Sequence, residues 1–528
     1  MGLHDNNLFY VGLCAAALIL QTLWIWFPVD GPQKGSSKQN EFLPAAFCCV
    51  CTALAAATMF RLFPGNHRPP MEDSSVFIYI GKRMLEGKLP YRDLFDHKGP
   101  VLYLIQCLGL RLSHGNTAGI WILEVLNLLA AAVLMLQLGF LTARSHTSAF
   151  LAILTVIGVC GSRIWQGGNF TEEYALPWIA LGTLVFFRFF KTGTYRRQNI
   201  VLLGFSFAVV FLLRANMVAV WAAFLPVVLI CFLREHRFPD IWKCLTAFLQ
   251  GMAVVFLPVL LWAARTGCLT AFWQDYFLFN FSYTGNAAEQ EGEILKVAWF
   301  FAGVVWPGTA AQIICLASKP KDKIQWLNAL FFAASLLAAG ISARSYYHYA
   351  IILLPAIVLP LTGVFDLTGQ TLTRLFKRSD IVEYRLIILS FLFIVTAAFL
   401  YRWLSPGDLQ EDPVVQILLE RTAEEDDVLV LGNNCYYYLA ADRKTDIRFF
   451  YQIPPVEISD ELYKDFVKEL DTHPPDFVLL PGGQEEREWT DDRLKGIRGE
   501  LLNSFYSSEA YDKFELFTRE SKPIQQGE

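Results

Sequence analysis

Glu72 and Asp73 are adjacent carboxylates just before an amphipathic stretch, residues 74–87. A carboxylate beside apolar helices can have a raised pKa and can then take a proton from a hydroxyl group, as a general base does. The structural alternative is that Asp73 caps a helix beginning at Ser74, because an aspartate side chain satisfies the first free amides of a helix. The two interpretations are compatible, since a cap would also fix the side chain that accepts the proton.

Glu172 and Glu173 form a second acidic pair, directly before the apolar run 174–190. Two adjacent carboxylates at the entrance to a membrane span are unfavourable unless water or a partner stabilises them. They indicate either a second acidic group of a catalytic site or a solvated loop in which Thr171 caps the following helix.

His97 and Lys98 lie just before a predicted helix that begins at Pro100, because proline favours the first turn of a helix. The ammonium group, the helix dipole and the free backbone amides would converge there and form an anion site. At a membrane surface the expected anion is a lipid phosphate. The alternative is that Lys98 contacts bulk lipid headgroups.

Arg214, Arg344 and His348 could add to such a phosphate site, since a guanidinium fork matches phosphate oxygens. Arg344 and His348 are four residues apart and would share a helix face if a span begins there. The alternative is an interfacial belt of aromatic residues with anchoring arginines. These cations and the acidic pairs are all predicted on one face of the membrane.

The composition is that of a membrane protein. Of the 528 residues, 54% are apolar and 18% are charged, whereas soluble chains carry about 25% charged residues. Mean hydropathy is +0.37. Long apolar runs alternate with short polar loops over residues 1–403, while residues 404–528 are rich in Asp, Glu and Lys. The formal net charge of −5 excludes an overall basic nucleic-acid-binding protein.

Apolar runs of about 20 residues, enough to cross a bilayer, predict a mainly α-helical bundle of about twelve transmembrane spans. They lie near residues 8–27, 43–63, 117–142, 148–164, 174–190, 199–213, 217–233, 244–264, 295–317, 326–342, 349–367 and 386–403. Lys and Arg are concentrated in alternate loops, which are therefore cytoplasmic. In a multi-pass protein of the cell membrane, both termini and residues 64–116 and 404–528 would then be extracytoplasmic.

Residues 64–116 form the first large outer loop, whose helical stretches 74–87 and 100–112 are too short to span the membrane. We expect amphipathic helices that lie in the membrane interface and hold ionisable groups at headgroup depth. Residues 404–528 indicate a small extracytoplasmic α/β domain. Its strand-like runs are Val428–Leu431, Phe477–Leu480 and Phe514–Thr518, and its helix-like run is Glu461–Leu470.

The sequence predicts no structural metal or disulfide framework, because no cysteine pair has zinc-ligand spacing with histidine partners. A divalent cation remains an option, since Glu72, Asp73, Asp93 and Asp96 could supply the oxygen ligands that hard cations prefer. Lys98 could instead supply the positive charge, so no cofactor is assigned.

These motifs together resemble the bacterial GT-C glycosyltransferases, relatives of the protein O-mannosyltransferases and of the lipid A aminoarabinose transferase. The resemblance extends over most of residues 64–370 and fits the multi-span layout. The residues that carry it are 73–77 (DSSVF), 79–81 (YIG), 87–93 (GKLPYRD), 96–100 (DHKGP), 171–177 (TEEYALP) and 344–349 (RSYYHY).

The resemblance implies that a polyprenyl-phosphate-linked monosaccharide is the donor, and that a hexosyl or pentosyl group is transferred on the extracytoplasmic side with inversion. The family's base is an acidic residue of the first outer loop, which corresponds to Asp73, with Glu72 beside it. A second acidic residue, from the next outer loop, helps to shape the acceptor site. Here that residue would be Glu172 or Glu173.

The resemblance also implies cationic partners for the lipid phosphate. The lysine before the second surface helix corresponds to Lys98, and Arg344 and His348 are further phosphate or headgroup partners. The expected partners are thus a lipid-linked donor and membrane lipids. The identities of the sugar and of the acceptor stay open.

Two other functions fit parts of the sequence. A transporter or flippase of lipid-linked sugars would suit about twelve spans, but transporters usually place ionisable residues near the bilayer midplane rather than at the outer ends of spans. A membrane scaffold that displays residues 404–528 is the other alternative. The transferase is the interpretation that uses both the acidic and the cationic residues.

Overall fold

The computed structural model describes residues 60–64, 66, 69–144, 146–160, 164–282, 291–376, 412–481, 493, 496–499, 506–511 and 514–520. Its helices are α1 Glu72–Leu85, α2 Pro100–Leu112, α3 Ala118–Phe140, α4 His146–Leu154, α5 Thr171–Thr192, α6 Arg197–Phe211, α7 Ala219–Arg234, α8 Phe238–Arg265, α9 Leu269–Phe272, α10 Glu291–Val304, α11 Trp306–Ser318, α12 Lys323–Gly340, α13 Leu354–Phe376, α14 Pro413–Arg421, α15 Tyr436–Ala441, α16 Pro455–Ile458 and α17 Asp460–Thr472. Two π-helical segments, Thr155–Cys160 and Trp273–Leu278, and two 3₁₀ segments, Ala215–Met217 and Tyr347–Leu353, interrupt this series.

Helix α1 begins two residues earlier than predicted. The Ser75 amide already donates to the Met71 carbonyl at 2.8 Å, so Met71 is the N-cap residue, and its side chain caps nothing. The predicted cap role of Asp73 is therefore wrong. Glu72 and Asp73 both lie in the first turn instead, where the positive end of the helix dipole favours carboxylates.

Helix α1 is not exposed on a surface, as the predicted platform of amphipathic helices would be. All of its residues from Ser74 to Gly81 are buried, and the Tyr79 ring packs against the rings of Tyr438 and Phe450 at 4.7 and 4.8 Å. The C-terminal part of the chain thus covers the side of α1 that carries Tyr79. The apolar side of α1 is thus matched by protein rather than by lipid.

Four helical stretches of the described chain are long and apolar enough to cross a membrane, namely α3, α5, α8 and Tyr347–Thr371. The predicted single span 295–317 is instead two helices that meet at an angle of 91°. The break lies just before Pro307, which occupies the first turn of α11. A proline has no amide hydrogen to bond the preceding turn, and its ring clashes with the carbonyl four residues earlier, so it interrupts a continuous helix. The predicted spans 8–27 and 386–403, and most of 43–63, lie outside the described residues.

Helices α6 and α8 approach each other closely through glycines. A Cβ atom on Gly204 would lie 2.0 Å from the Phe248 carbonyl oxygen, and one on Gly251 would lie 1.9 Å from the Val201 carbonyl oxygen. Small residues allow such approach between membrane helices, where close van der Waals contact drives association.

The C-terminal residues carry a four-stranded sheet of order β1-β2-β4-β3. Its strands are β1 Val428–Val430, β2 Phe477–Pro481, β3 Tyr506–Ala510 and β4 Phe514–Arg519. Strand β1 pairs with β2 in parallel, while the other two pairs are antiparallel. The sequence did not predict β3, because only Tyr506 in it is buried and its other side chains are exposed. This strand therefore lacks the alternation of apolar and polar residues by which a half-buried strand is recognised in a sequence.

We expect Gly251→Ala to destabilise the protein by about 1–3 kcal/mol, the usual cost of overpacking a filled contact. Its Cβ would collide with backbone rather than with a flexible side chain. Thermal unfolding in detergent micelles measures the effect. The matched control is Gly303→Ala, because no atom lies within 4 Å of a Cβ built there. Equal losses in the two variants would contradict the proposed helix contact.

Candidate functional site

A cavity of about 510 Å³ opens at the N-terminal end of α1. The loops that precede α2 and follow α6 contribute to its wall, as do the segment before α13 and two C-terminal residues, Asn433 and Pro454. Six of the nine residues singled out in the sequence line it: Glu72, Asp73, His97, Lys98, Arg214 and His348. Carboxylates and cations from distant parts of the chain therefore face one volume.

Asp73 is accessible on one side of this cavity. Its side chain is 39% exposed, and its Oδ2 lies 3.9 Å from His348 Nε2. The His348 ring is buried, stacks on the Phe170 ring at 4.2 Å and 5°, and has Nδ1 at 3.0 Å from Gln166 Oε1. His348 is therefore held between Gln166 on its Nδ1 side and the Asp73 carboxylate on its Nε2 side.

Lys98 reaches the same cavity from the loop before α2. Its Nζ lies 3.0 Å from His97 Nε2 and 4.0 Å from Asp96 Oδ1. Burial and the neighbouring Lys98 lower the pKa of His97 to about 4. The imidazole is therefore neutral at pH 7 and accepts a hydrogen bond from the ammonium group.

Asp96 lies beneath Lys98 and is 1% exposed. Its Oδ2 accepts a hydrogen bond from the Tyr103 hydroxyl at 2.8 Å, and its Oδ1 accepts one from the Tyr451 hydroxyl at 2.7 Å. Burial alone would raise the pKa of Asp96, but Lys98, His97 and Tyr451 around it lower that pKa well below its ordinary value. Asp96 is thus an ionised counter-charge to Lys98.

The backbone amides at the start of α2 do not form the predicted anion site. The Gly99 amide donates to the Leu213 carbonyl at 2.9 Å and the Val101 amide to the Leu212 carbonyl at 3.3 Å, while Pro100 has no amide hydrogen. A Cβ on Gly99 would lie 1.9 Å from the Leu212 oxygen. Since these carbonyls occupy the free amides, Lys98 is the anion-binding group that this loop offers.

Arg214 follows α6 and is held by two partners. Its Nη1 donates to Glu172 Oε1 at 2.5 Å, its Nη2 donates to the Tyr349 hydroxyl at 2.8 Å, and its guanidinium carbon lies 4.3 Å from the centre of the Tyr349 ring. Burial opposes the charge, yet Tyr349 and Glu172 raise the pKa of Arg214 above its ordinary value. Arg214 is therefore a permanent cation at the cavity wall.

Glu172 and Glu173 are buried and do not line the cavity. Helix α5 begins at Thr171 with Phe170 as its N-cap residue, and no side chain caps it. The solvated loop and the Thr171 cap are thus wrong. Glu172 supports Arg214, and Glu173 Oε2 accepts a hydrogen bond from the Asn169 amide at 2.8 Å.

Arg344 also lies apart from the cavity lining. It is exposed and precedes the 3₁₀ segment Tyr347–Leu353, whereas His348 is buried within that segment. The regular helix α13 begins only at Leu354, so Arg344 and His348 do not share a helix face. The predicted pairing of these two residues is wrong.

A buried network of polar side chains lies beside the site and was not predicted from the sequence. The Asn169 side chain bonds Gln106 at 2.6 Å, Ser74 Oγ at 2.8 Å and the Tyr174 hydroxyl at 2.8 Å. Glu124 lies beside it and is fully buried in α3. The available signal was a lone carboxylate within an apolar run, which in membrane proteins is usually functional.

The loop before α5 has an unusual backbone that shapes the cavity. Gln166, Gly167, Gly168 and Asn169 all have positive φ angles, of 44°, 103°, 85° and 60°. Such strain in non-glycine residues concentrates at functional sites. The paired glycines were the available sequence signal, whereas the role of Gln166 as a partner of His348 depends on the tertiary contact.

A divalent cation site is not built from the carboxylates considered in the sequence. Among the described residues no group of three His, Cys, Asp or Glu side chains converges. Asp93 pairs with Arg92, and both oxygens of Asp96 accept tyrosine hydroxyls. Asp93 and Asp96 therefore serve other contacts, while Glu72 and Asp73 line the cavity.

Solved structures of another protein have a similar fold. The chain is similar to ArnT from Cupriavidus metallidurans bound to undecaprenyl phosphate, with a TM-score of 0.54 and 12% identity over 92% of this chain and 99% of that one. The apo state of the same protein gives a TM-score of 0.57 and 11% identity, over 91% and 98% of the two chains. At such low identity the likeness shows the fold. No curated protein matches the chain.

A family match covers most of the residues that line the cavity. Residues 70–402 match the family described as "Putative competence-induced protein Ccs4 N-terminal domain". This match includes more than half of the 528 residues. The chain therefore belongs to the Ccs4 N-terminal domain family.

Proposed function

We propose that the protein is a glycosyltransferase that moves a monosaccharide from a polyprenyl-phosphate-linked donor to an acceptor hydroxyl, with inversion, on the extracytoplasmic face of the membrane. The observation that carries this proposal is that Asp73 and Lys98 line one cavity. The ArnT fold, known with undecaprenyl phosphate bound, and the GT-C-like motifs support the same assignment.

The charges around the cavity match the charge flow of glycosyl transfer. The acceptor oxygen loses a proton as it attacks, an oxocarbenium-like state forms, and negative charge builds on the departing phosphate. Asp73 can take the proton, while Lys98 and Arg214 can stabilise the phosphate. Such cations accelerate the reaction to the extent that they bind the leaving phosphate more strongly than the donor ester.

Asp73 is the proposed base because an acceptor can reach it. Its exposed fraction of 39% contrasts with the full burial of Glu173. His348 lies beside Asp73 with Nε2 at 3.9 Å and could orient the carboxylate or receive its proton. Glu72 is the neighbouring carboxylate in the cavity lining and is the alternative base.

Lys98 and Arg214 are the proposed phosphate ligands. Neutral His97 holds the Lys98 ammonium group through one hydrogen bond, which leaves other donors of that group for a phosphate. Glu172 fixes the fork of Arg214 and so acts through the arginine rather than on the sugar. This differs from the acceptor-site role that the family resemblance implied for Glu172 or Glu173.

An apolar groove beside the cavity is suited to a prenyl chain. Its volume is about 540 Å³, and its lining includes Leu212, Phe256, Leu260, Trp273 and Phe277. Phe277 lines both the groove and the cavity. A lipid whose phosphate binds at Lys98 could therefore extend its prenyl chain past Phe277 into the apolar groove. The chain would not need a water-filled path.

We expect Asp73→Asn to lower sugar transfer by at least about 100-fold, because a positioned general base contributes roughly 10²–10⁴-fold. The assay follows a radiolabelled sugar from a polyprenyl-phosphate donor in membranes that contain the variant. Glu72→Gln tests the alternative base and should retain most activity if Asp73 takes the proton. Wild-type transfer by Asp73→Asn, or a larger loss in Glu72→Gln, would exclude Asp73 as the base.

Lys98→Ala should weaken binding of undecaprenyl phosphate by about 10- to 100-fold, the value of one hydrogen bond to a charged group. Binding to the purified protein in detergent gives the dissociation constant. Lys243→Ala serves as the control, since Lys243 is 69% exposed beside Asp240 and is absent from the cavity lining. Equal affinity of Lys98→Ala and the wild type would remove Lys98 from the phosphate site.

Arg214→Lys should lower kcat/KM for transfer by about 10-fold or more, because an ammonium group cannot reproduce the planar guanidinium fork. The wild-type fork reaches Glu172 and Tyr349 at once. The control is Arg197→Lys, whose partner is Gln250 on an exposed surface. An unchanged kcat/KM in Arg214→Lys would show that only the positive charge at this position matters.

A further inference from the structure

Tyr451 links the C-terminal part of the chain to the loop that carries Lys98. It lies 355 residues after Asp96, is 4% exposed, and donates its hydroxyl hydrogen to Asp96 Oδ1 at 2.7 Å. Asp96 in turn lies directly beneath the cation of the cavity. A residue outside the membrane helices thus contacts the counter-ion of the proposed phosphate site.

The contacts of Asp96 form a short chain that ends at the Lys98 ammonium group. Oδ1 also accepts the His97 amide at 2.6 Å, and His97 Nδ1 lies 3.3 Å from the same oxygen. The other ring nitrogen of His97 lies 3.0 Å from Lys98 Nζ. The position of the carboxylate therefore sets the position of the imidazole, and the imidazole sets that of the ammonium group.

We propose that Tyr451 is a positioning residue of the donor-phosphate site, and that it keeps Lys98 available to the lipid phosphate by satisfying Asp96. This inference rests on the proposed function, in which Lys98 binds the donor phosphate. It makes the C-terminal part of the chain a component of the donor site in addition to a cover over α1.

The physical reason is competition for one ammonium group. A buried carboxylate that loses a hydrogen-bond donor is under-satisfied, and the deficit is large in a low-dielectric interior. Without the Tyr451 hydroxyl, Asp96 would draw Lys98 from its present distance of 4.0 Å toward a direct ion pair. Lys98 would then bind a phosphate in the cavity less strongly.

The contact with the loop does not depend on Tyr451 alone. The Phe95 amide donates to the Arg448 carbonyl at 2.9 Å, and Arg448 Nε donates to the Tyr91 carbonyl at 3.0 Å. Arg448 also pairs with Asp275 at 2.6 Å, in the π-helical segment that supplies Tyr276 and Phe277 to the cavity. Removal of one hydroxyl group should therefore leave the loop docked.

The test compares Tyr451→Phe with Tyr438→Phe in the full-length protein. Tyr438 is also buried, and its hydroxyl accepts the Val430 amide at 2.7 Å and donates to the Phe450 carbonyl at 3.1 Å rather than to Asp96. We expect Tyr451→Phe to weaken undecaprenyl phosphate binding by about 5- to 10-fold, part of the effect of a hydrogen bond to a charged group. Tyr438→Phe should lower thermal stability and leave the affinity unchanged.

Two further variants test whether the effect of Tyr451 on affinity passes through Asp96 and Lys98. Tyr103→Phe removes the other hydroxyl group from Asp96 and should weaken binding by a similar factor, which provides a second measurement if Tyr451→Phe fails to fold. In a Lys98→Ala background, Tyr451→Phe should have no additional effect on affinity, because its influence passes through Lys98.

The outcomes separate this inference from the proposed function. If Lys98→Ala binds undecaprenyl phosphate like the wild type, the phosphate site itself is wrong and the inference fails with it. If Lys98→Ala weakens binding but neither Tyr451→Phe nor Tyr103→Phe does, only the positioning role is overturned. An equal loss of affinity in Tyr438→Phe would also overturn it, since the effect would then reflect general destabilisation.

Discussion

A carboxylate buried among apolar residues is costly unless hydrogen bonds and an opposite charge compensate for the lost water. Asp96 meets this condition only where three parts of the chain join: α2 supplies Tyr103, the loop itself supplies Lys98, and the C-terminal part supplies Tyr451. Satisfying this one charge joins the loop, α2 and the C-terminal part of the chain next to the Lys98 ammonium group, which lines the cavity. The proposed chemistry depends on the same requirement.

On the opposite wall of the cavity the buried charge is positive, and it too is compensated by an opposite charge and a hydrogen bond. The Arg214 cation is buried and is satisfied by Glu172 and Tyr349. Between the two walls, Asp73 keeps a large exposed fraction and has His348 at 3.9 Å as its neighbour. In the proposed reaction, the cations with buried partners would face the departing phosphate, and the partly exposed carboxylate would face the acceptor.

Local features were predictable because they depend on neighbouring residues. Helix α2 has the predicted bounds, Pro100–Leu112, since proline fixes its start. Strands β1, β2 and β4 lie within a residue or two of the predicted runs, because apolar β-type segments between polar turns are a local signal. Chemical types that suit a lipid-phosphate site were also visible, and six of the nine chosen residues line one cavity.

The sequence by itself determined the residue types, the apolar periodicity and the proline-fixed start of α2, all of which are set by steric and solvation preferences within a few residues. The tertiary structure alone decided which carboxylate reaches the cavity. It also decided that the Leu212 and Leu213 carbonyls accept the amides at the start of α2, and that the Tyr451 hydroxyl donates to Asp96. Sequence periodicity records that a side chain is buried, but not what buries it. The partner of a buried charge depends on how distant segments pack, and that packing is a property of the whole fold.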